Sequence, residues 1–251
     1  MQQVLFHIGG LRVFSYGFFI ALGILVATLW MLRQAKKEGM SQETVLDCVL
    51  IAVIAGIVGA RLFYVFLYEP GYYLANPLRI LYLPGGGLAF YGGLILGFVA
   101  ILIYLYRVHI PVLTFLDLVA PATALGYGIA RFGCFMNGCC YGKVTTVPWG
   151  VVFPLIDGAT RHPTQIYSML AGFLIFIFLV WIKGRGVRFR GQVFCLFIIL
   201  YGASRSVIEF FRENTQLSEG SMGAPLAALA IAVAGGILYL FLAKRKGRYR
   251  Y

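Results

Sequence analysis

TQIYSMLAGFLIFIFLVWIK, residues 164–183, contains no charged side chain before its final lysine. A helix rises about 1.5 Å per residue, so about 20 such residues cross the hydrocarbon core of a bilayer, about 30 Å thick. A run this long is a helix rather than a strand, and no water-soluble core needs one so uniformly apolar. Working outward, six further windows read the same way: 14–33, 43–68, 88–107, 112–133, 191–212 and 224–243. The reading is an all-α polytopic membrane protein with seven transmembrane helices, forming a single integral membrane domain over residues 1–251.

Composition agrees. Of the 251 residues 61% are hydrophobic and 12% charged, and the mean hydropathy is +0.86. That excludes an ordinary soluble domain. Apolar runs that are continuous rather than alternating argue against a β-barrel, and aromatics at 16% suit interfacial belts. The formal net charge of +12 would point to nucleic acid in a soluble protein. Here most basic residues fall between apolar spans, where they read as topology signals and contacts to anionic membrane lipids, with no nucleic-acid partner. The start, MQQVLFHIGGLRVFSYG, lacks the basic region of a cleavable signal, and no internal repeat of the transporter kind is visible.

Charge also orders the spans. With the N-terminus outside, Arg33, Lys36, Lys37, Arg107, Lys183, Arg185, Arg188, Arg190 and the tail Lys244, Arg245, Lys246, Arg248 and Arg250 fall on the cytoplasmic side. Arg12, Arg61, Arg79, Arg131, Lys143, Arg161, Arg205 and Arg212 fall outside or within the membrane. The alternation satisfies the positive-inside rule at every loop, giving N-out and C-in. Two outer segments, about 69–87 and 134–163, are rich in Gly, Pro and aromatics and are expected as structured pieces at the headgroup boundary.

Charges in apolar helices are costly and therefore functional candidates. YGASRSVIEFFREN places Arg205 and Glu209 four residues apart on one helical face, with Arg212 beside it. The pair is either a packing device or a guanidinium held ready for phosphate, whose oxygens suit arginine's planar fork. Arg61, in GARLFYVFLYEP, and Arg131 lie near the outer ends of their spans. Several arginines converging on one membrane face favour an anionic lipid. Gly92 and Gly93, in GGGLAFYGGLILG, serve either close helix packing or the lining of a ligand pocket, while Gly97 reads as packing.

RFGCFMNGCCYG, residues 131–142, offers three readings. Cys134, Cys139 and Cys140 with His162 have the atoms for zinc, but no clean CxxC pair, and adjacent cysteines rarely serve one tetrahedral site, so no metal is expected. A disulfide from Cys134 to Cys139 or Cys140 needs suitable geometry. The third reading is a tight loop in which Arg131 and Asn137 present donors and the thiols form wall. Cys48 and Cys195 lie in apolar spans and read as core.

Six pieces in order, SYG at 15–17, GARLFYVFLY from Gly59, GGLAFYGGLILG from Gly86, ARFGCFMNGCCYG from Ala130, RHPTQIYS from Arg161 and YGASRSVIEFFRE from Tyr201, resemble the prolipoprotein diacylglyceryl transferase family over almost the whole chain. The resemblance implies transfer of the diacylglyceryl group of phosphatidylglycerol to the lipobox cysteine of a prolipoprotein signal peptide. A thioether forms and glycerol phosphate leaves, without a cofactor, at the outer face of the bacterial cytoplasmic membrane. It implies Arg131 and Arg205 on the phosphate, Glu209 orienting Arg205, and Tyr16 as a donor in the headgroup pocket. Arg61, Gly92, Gly93, Cys134, Asn137, Cys139, Gly142 and Arg212 are expected around the substrate. Tyr91 and His162 are the candidates to accept the thiol proton. The sequence departs from the family pattern at Tyr91, where the family places histidine, and at Cys134 and Cys139, where it places asparagine and glutamate. Tyrosine, with an ordinary pKa of about 10, is a poor base, and His162 has an alternative reading as a loop anchor. Two rival functions follow: a paralogue with another acceptor, or a lipid-binding protein without chemistry.

Overall fold

The computed structural model describes residues 2–9, 11–82, 86–154, 156–213 and 223–245. Gly85 and the tail residues Lys246, Arg248 and Arg250, used above, lie outside the described residues. Seven helices are long and apolar enough to cross a membrane. They are α1 (Ser15–Lys37), α2 (Gln42–Leu67), α4 (Phe90–Arg107), α5 (Val112–Asn137), α6 (Thr164–Gly184), α7 (Gln192–Phe211) and α8 (Gly223–Lys244). The short α3 (Pro70–Ala75) and a 3-10 turn (Pro77–Leu81) lie between α2 and α4. Ser41 caps α2, its side chain accepting from the Glu43 N–H at 3.2 Å, as an N-cap serine does.

Three features depart from the expected pattern. An antiparallel hairpin, β1 (Val4–Ile8) and β2 (Leu11–Phe14), precedes α1. Its strands, VLFHI and LRVF, are rich in β-branched and aromatic residues and flank Gly9 and Gly10, a hairpin signal. After α2, residues 70–75 and 77–81 are helical, because proline opens both short helices with its preset φ. Helix α5 runs a turn further than the apolar window and ends where Gly138 turns left-handed (φ 73°). Cys134 and Asn137 therefore sit on its last turn, not in the loop. Beyond it, β3 (Val151–Val152) pairs with β4 (Thr160–Arg161).

The chain forms two compact units, residues 32–115 and residues 1–31 with 116–251. In the first, α2 and α4 meet along glycines. A Cβ on Gly93 would come 2.7 Å from the Gly56 carbonyl oxygen, and one on Gly92 would overlap the Gly59 carbonyl and Phe63. Backbones this close give dense contact where no hydrophobic effect drives helices together in lipid. In the second unit, Ala120, Ala124, Ile175, Leu179 and Val193 form a buried cluster. Gly23 lies against the Gly126 carbonyl, and Gly202 against Ala228 and Ala232. The buried Asp117 of α5 accepts the N–H groups of Gly191 (2.7 Å) and Phe194 (2.8 Å), capping α7 from a neighbouring helix.

Candidate functional site

The site is assembled in the second unit, at the last turn of α5 and the last turns of α7. Arg205 pairs with the buried Glu209 at 2.6 Å, and Arg212 approaches the other oxygen of that carboxylate at 3.6 Å. Spacings of four and three residues bring these side chains to one helical face. Arg131 lies over the Tyr127 ring at 4.8 Å, and Tyr127 stands edge-on to Tyr201 at 5.3 Å. Both Arg131 and Arg205 act electrostatically on the Tyr201 phenol. The two arginines expected at the phosphate are thus gathered around a tyrosine pair. Three guanidiniums against one carboxylate leave an excess of positive charge in a half-buried setting, where it attracts an anion far more strongly than at an open surface.

Tyr16 joins the site from the start of α1. Gly133 leaves no room for a side chain between α5 and the Phe19, Ser15 and Tyr16 positions, so α1 rests directly on the last turns of α5. The Tyr16 phenol, half exposed, is within electrostatic reach of Arg131 and of all three clustered thiols. Asn137 hydrogen-bonds through its side chain with Cys139.

The spacing argued against a shared site for the three cysteines; the fold brings them together. The sulfur atoms of Cys134, Cys139 and Cys140 all lie within 4.8 Å of one another. All three are free thiols. Adjacent side chains converge because Cys140 adopts a left-handed conformation (φ 60°), uncommon for a residue with a Cβ. The neighbouring Cys134 and Cys139 thiols, with the Arg212 and Arg131 guanidiniums, hold the Cys140 thiol below the ordinary thiol range. Arg212 donates to Cys140 Sγ at 3.4 Å.

Arg61, Gly92 and Gly142, expected around the substrate, are occupied otherwise. Arg61 is buried in the first unit and donates to five backbone carbonyls, of Ile80, Gly86, Gly87, Arg79 and Tyr82, at 2.7–3.0 Å. A guanidinium has five N–H donors, so none remains for phosphate; Arg61 latches the chain that follows α2 in its own unit. The Gly92 position is filled by α2, while Gly93 both meets α2 and edges an apolar groove of about 410 Å³. Gly142 sits where a Cβ would strike the Phe211 and His162 carbonyls; its own N–H donates to the His162 carbonyl at 2.9 Å. It is the close crossing that ties residues 141–143 to the end of α7. Tyr91, also in the first unit, is 69% exposed at the start of α4.

His162 is held on three sides. Its Nδ1 pairs with the Tyr167 hydroxyl at 3.1 Å, its ring meets Phe211 at 5.1 Å, and its N–H donates to the Lys143 carbonyl at 3.0 Å. Beside it are residues that the sequence did not mark as part of the site. Thr164 donates to the Cys140 carbonyl and Gln165 to the Cys139 carbonyl, each at 2.7 Å. The buried Arg161 pairs with Asp157 at 2.5 Å and with Glu213, and donates to the Gly142 carbonyl at 3.3 Å. Together they hold the chain between α5 and α6 onto the arginine-bearing end of α7. Tyr127 and Tyr201 each precede a site arginine by four residues, a helical spacing that marks them in the sequence.

Fold and site define a multi-pass α-helical membrane protein whose polar centre is built from arginines at two helix ends. The family described as prolipoprotein diacylglyceryl transferase matches residues 3–241. A phosphatidylglycerol–prolipoprotein diacylglyceryl transferase of Clostridium tetani is 39% identical over 85% of this chain and 86% of its own length. Proteins of the same name from Finegoldia magna (37%, covering 96% and 95%) and Bordetella parapertussis (38%, covering 99% and 98%) align over nearly everything. The chain belongs to the prolipoprotein diacylglyceryl transferase family.

Proposed function

We propose that this chain moves the diacylglyceryl group of phosphatidylglycerol onto the cysteine thiol of a lipoprotein signal peptide, at the outer face of the bacterial cytoplasmic membrane, with its N-terminus outside. The relatives are named for this donor and for a prolipoprotein. The observation that carries the reading is the Arg205–Glu209 pair at 2.6 Å beside Arg131 and Arg212. As the glycerol carbon–oxygen bond breaks, charge builds on the leaving phosphate. Guanidiniums already aimed and held by a buried carboxylate stabilise it without reorganising. Tyr16 and Asn137 complete the headgroup pocket as donors. Sulfur attacks as thiolate, forming the carbon–sulfur bond as glycerol phosphate departs. His162 serves by anchoring the outer segment, and Tyr91 is tested by Tyr91→Phe in the same assay.

The test supplies purified protein with phosphatidylglycerol and a lipobox peptide, and measures thioether product and glycerol phosphate together. Equal yields of both are expected. Glycerol phosphate without modified peptide would point to another acceptor, and no release with any acceptor would leave only lipid binding.

A further inference from the structure

The sulfurs of Cys134, Cys139 and Cys140 are the most concentrated set of soft ligands among the described residues. They lie within 4.8 Å of one another. Three thiolates around a tetrahedral zinc ion, with Zn–S about 2.3 Å, stand about 3.8 Å apart. That spacing lies inside the 4.8 Å within which the sulfurs are gathered.

The supporting shell is also in place. Cys134 rides on the rigid last turn of α5, and the Cys139 N–H donates to the Cys134 carbonyl at 3.1 Å, closing the loop. Buried Gln165 and Thr164 fix the carbonyls of Cys139 and Cys140. Arg212 donates to Cys140 Sγ at 3.4 Å, the kind of outer contact that orients a metal ligand and stabilises its charge. Three thiolates and a divalent ion carry a net charge of minus one, which Arg131 and Arg212 offset. Cys139 and Cys140 are only half buried, so the cluster is reachable from outside.

We propose that Cys134, Cys139 and Cys140 bind one Zn2+ ion and that its remaining position takes the acceptor cysteine as a thiolate. The second half rests on the transfer reading given above. Three protein ligands with one open position are the pattern of reactive rather than structural zinc, and a thiol that coordinates zinc is deprotonated outright. The acceptor thiol gives its proton to water on binding. Its sulfur then forms the bond to the glycerol carbon, while the carbon–oxygen bond breaks and its electron pair leaves with glycerol phosphate. Zinc changes no oxidation state, and the thioether, an uncharged and weaker ligand, is released. Coordination thereby supplies the thiolate that the transfer needs.

The test uses the full chain, reduced, stripped with chelator and titrated with Co2+ as a visible substitute. A thiolate-to-cobalt charge-transfer band saturating near one equivalent and displaced by Zn2+ is expected. Cys134→Ser, Cys139→Ser and Cys140→Ser should each weaken binding more than about 100-fold, beyond the usual effect of an outer-shell change, while Cys48→Ser leaves it unchanged. A cysteine peptide should shift the cobalt d–d bands and its serine counterpart should not. No charge-transfer band with all thiols reactive, or a disulfide seen as two missing thiols, would overturn the site. A bound ion that ignores the cysteine peptide would overturn its open position. Diacylglyceryl transfer is followed in parallel: metal bound without transfer sinks the transfer reading alone, and full transfer by the metal-free chain sinks the role of the metal.

Discussion

At the scale of single residues, two carboxylates define how the arginines are held. Glu209 is buried between Arg205 and Arg212. Its replacement in Glu209→Gln leaves two guanidiniums facing each other without a counter-charge. Removing one partner of a buried pair costs 3–5 kcal/mol, and because both arginines keep some solvent the lower end, about 3 kcal/mol, is expected in thermal or denaturant unfolding in detergent. Asp157 is exposed and behaves differently. Its hydrogen bond with Arg161, and a second from the Ala159 N–H, hold its carboxyl below the usual range. A depressed folded value means that its contribution is fully present above the unfolded pKa, about 3.9, and is lost as pH falls through the folded value. Protection against hydrogen exchange at Val151–Val152 and Thr160–Arg161 should therefore fall below about pH 4, and Asp157→Asn should remove that change. An unchanged profile in the variant would show that the Arg161 pairing does not hold the segment.

At the scale of elements, glycines and one arginine decide the packing of the unit formed by residues 32–115. Gly92→Ala places a methyl group into the Gly59 carbonyl and Phe63, and overpacking of this kind costs about 1–3 kcal/mol. Gly236→Ala on α8 meets nothing within 4 Å and is expected to be neutral or slightly stabilising in the same melting experiment. Arg61→Lys keeps the charge but loses the fork that reaches five carbonyls, so it should lower the melting temperature and expose residues 70–82 to protease. A substrate-binding role would instead raise KM without that loosening. The seven spans were legible because length and uniform hydrophobicity are local properties; each observed helix begins and ends close to its apolar window. The Arg205–Glu209 pair was legible for the same reason, being a matter of helical spacing. What was not legible depends on distant chain meeting distant chain. Nothing local says that Arg61 finds carbonyls some twenty residues on, that Gly142 crosses the end of α7, or that a left-handed Cys140 turns adjacent thiols to one point.

At the scale of the whole molecule, α1, α4, α6 and α8 each end in basic residues, while the end of α7 carries its arginines paired to a buried carboxylate. The proposed transfer has these arginines meet a phospholipid headgroup. The central claim is that Arg131 and Arg205 carry the leaving phosphate, whereas His162 only anchors the segment beside them. The direct measurement is kcat/KM for thioether formation from phosphatidylglycerol and a lipobox peptide, for wild type, Arg131→Ala, Arg205→Ala and His162→Ala, each shown to be folded. Each arginine variant is expected to lose about 10²–10³-fold, the usual effect of removing a donor to developing charge, and His162→Ala to lose much less. Near-normal rates in the arginine variants, or a larger loss in His162→Ala, would contradict the account.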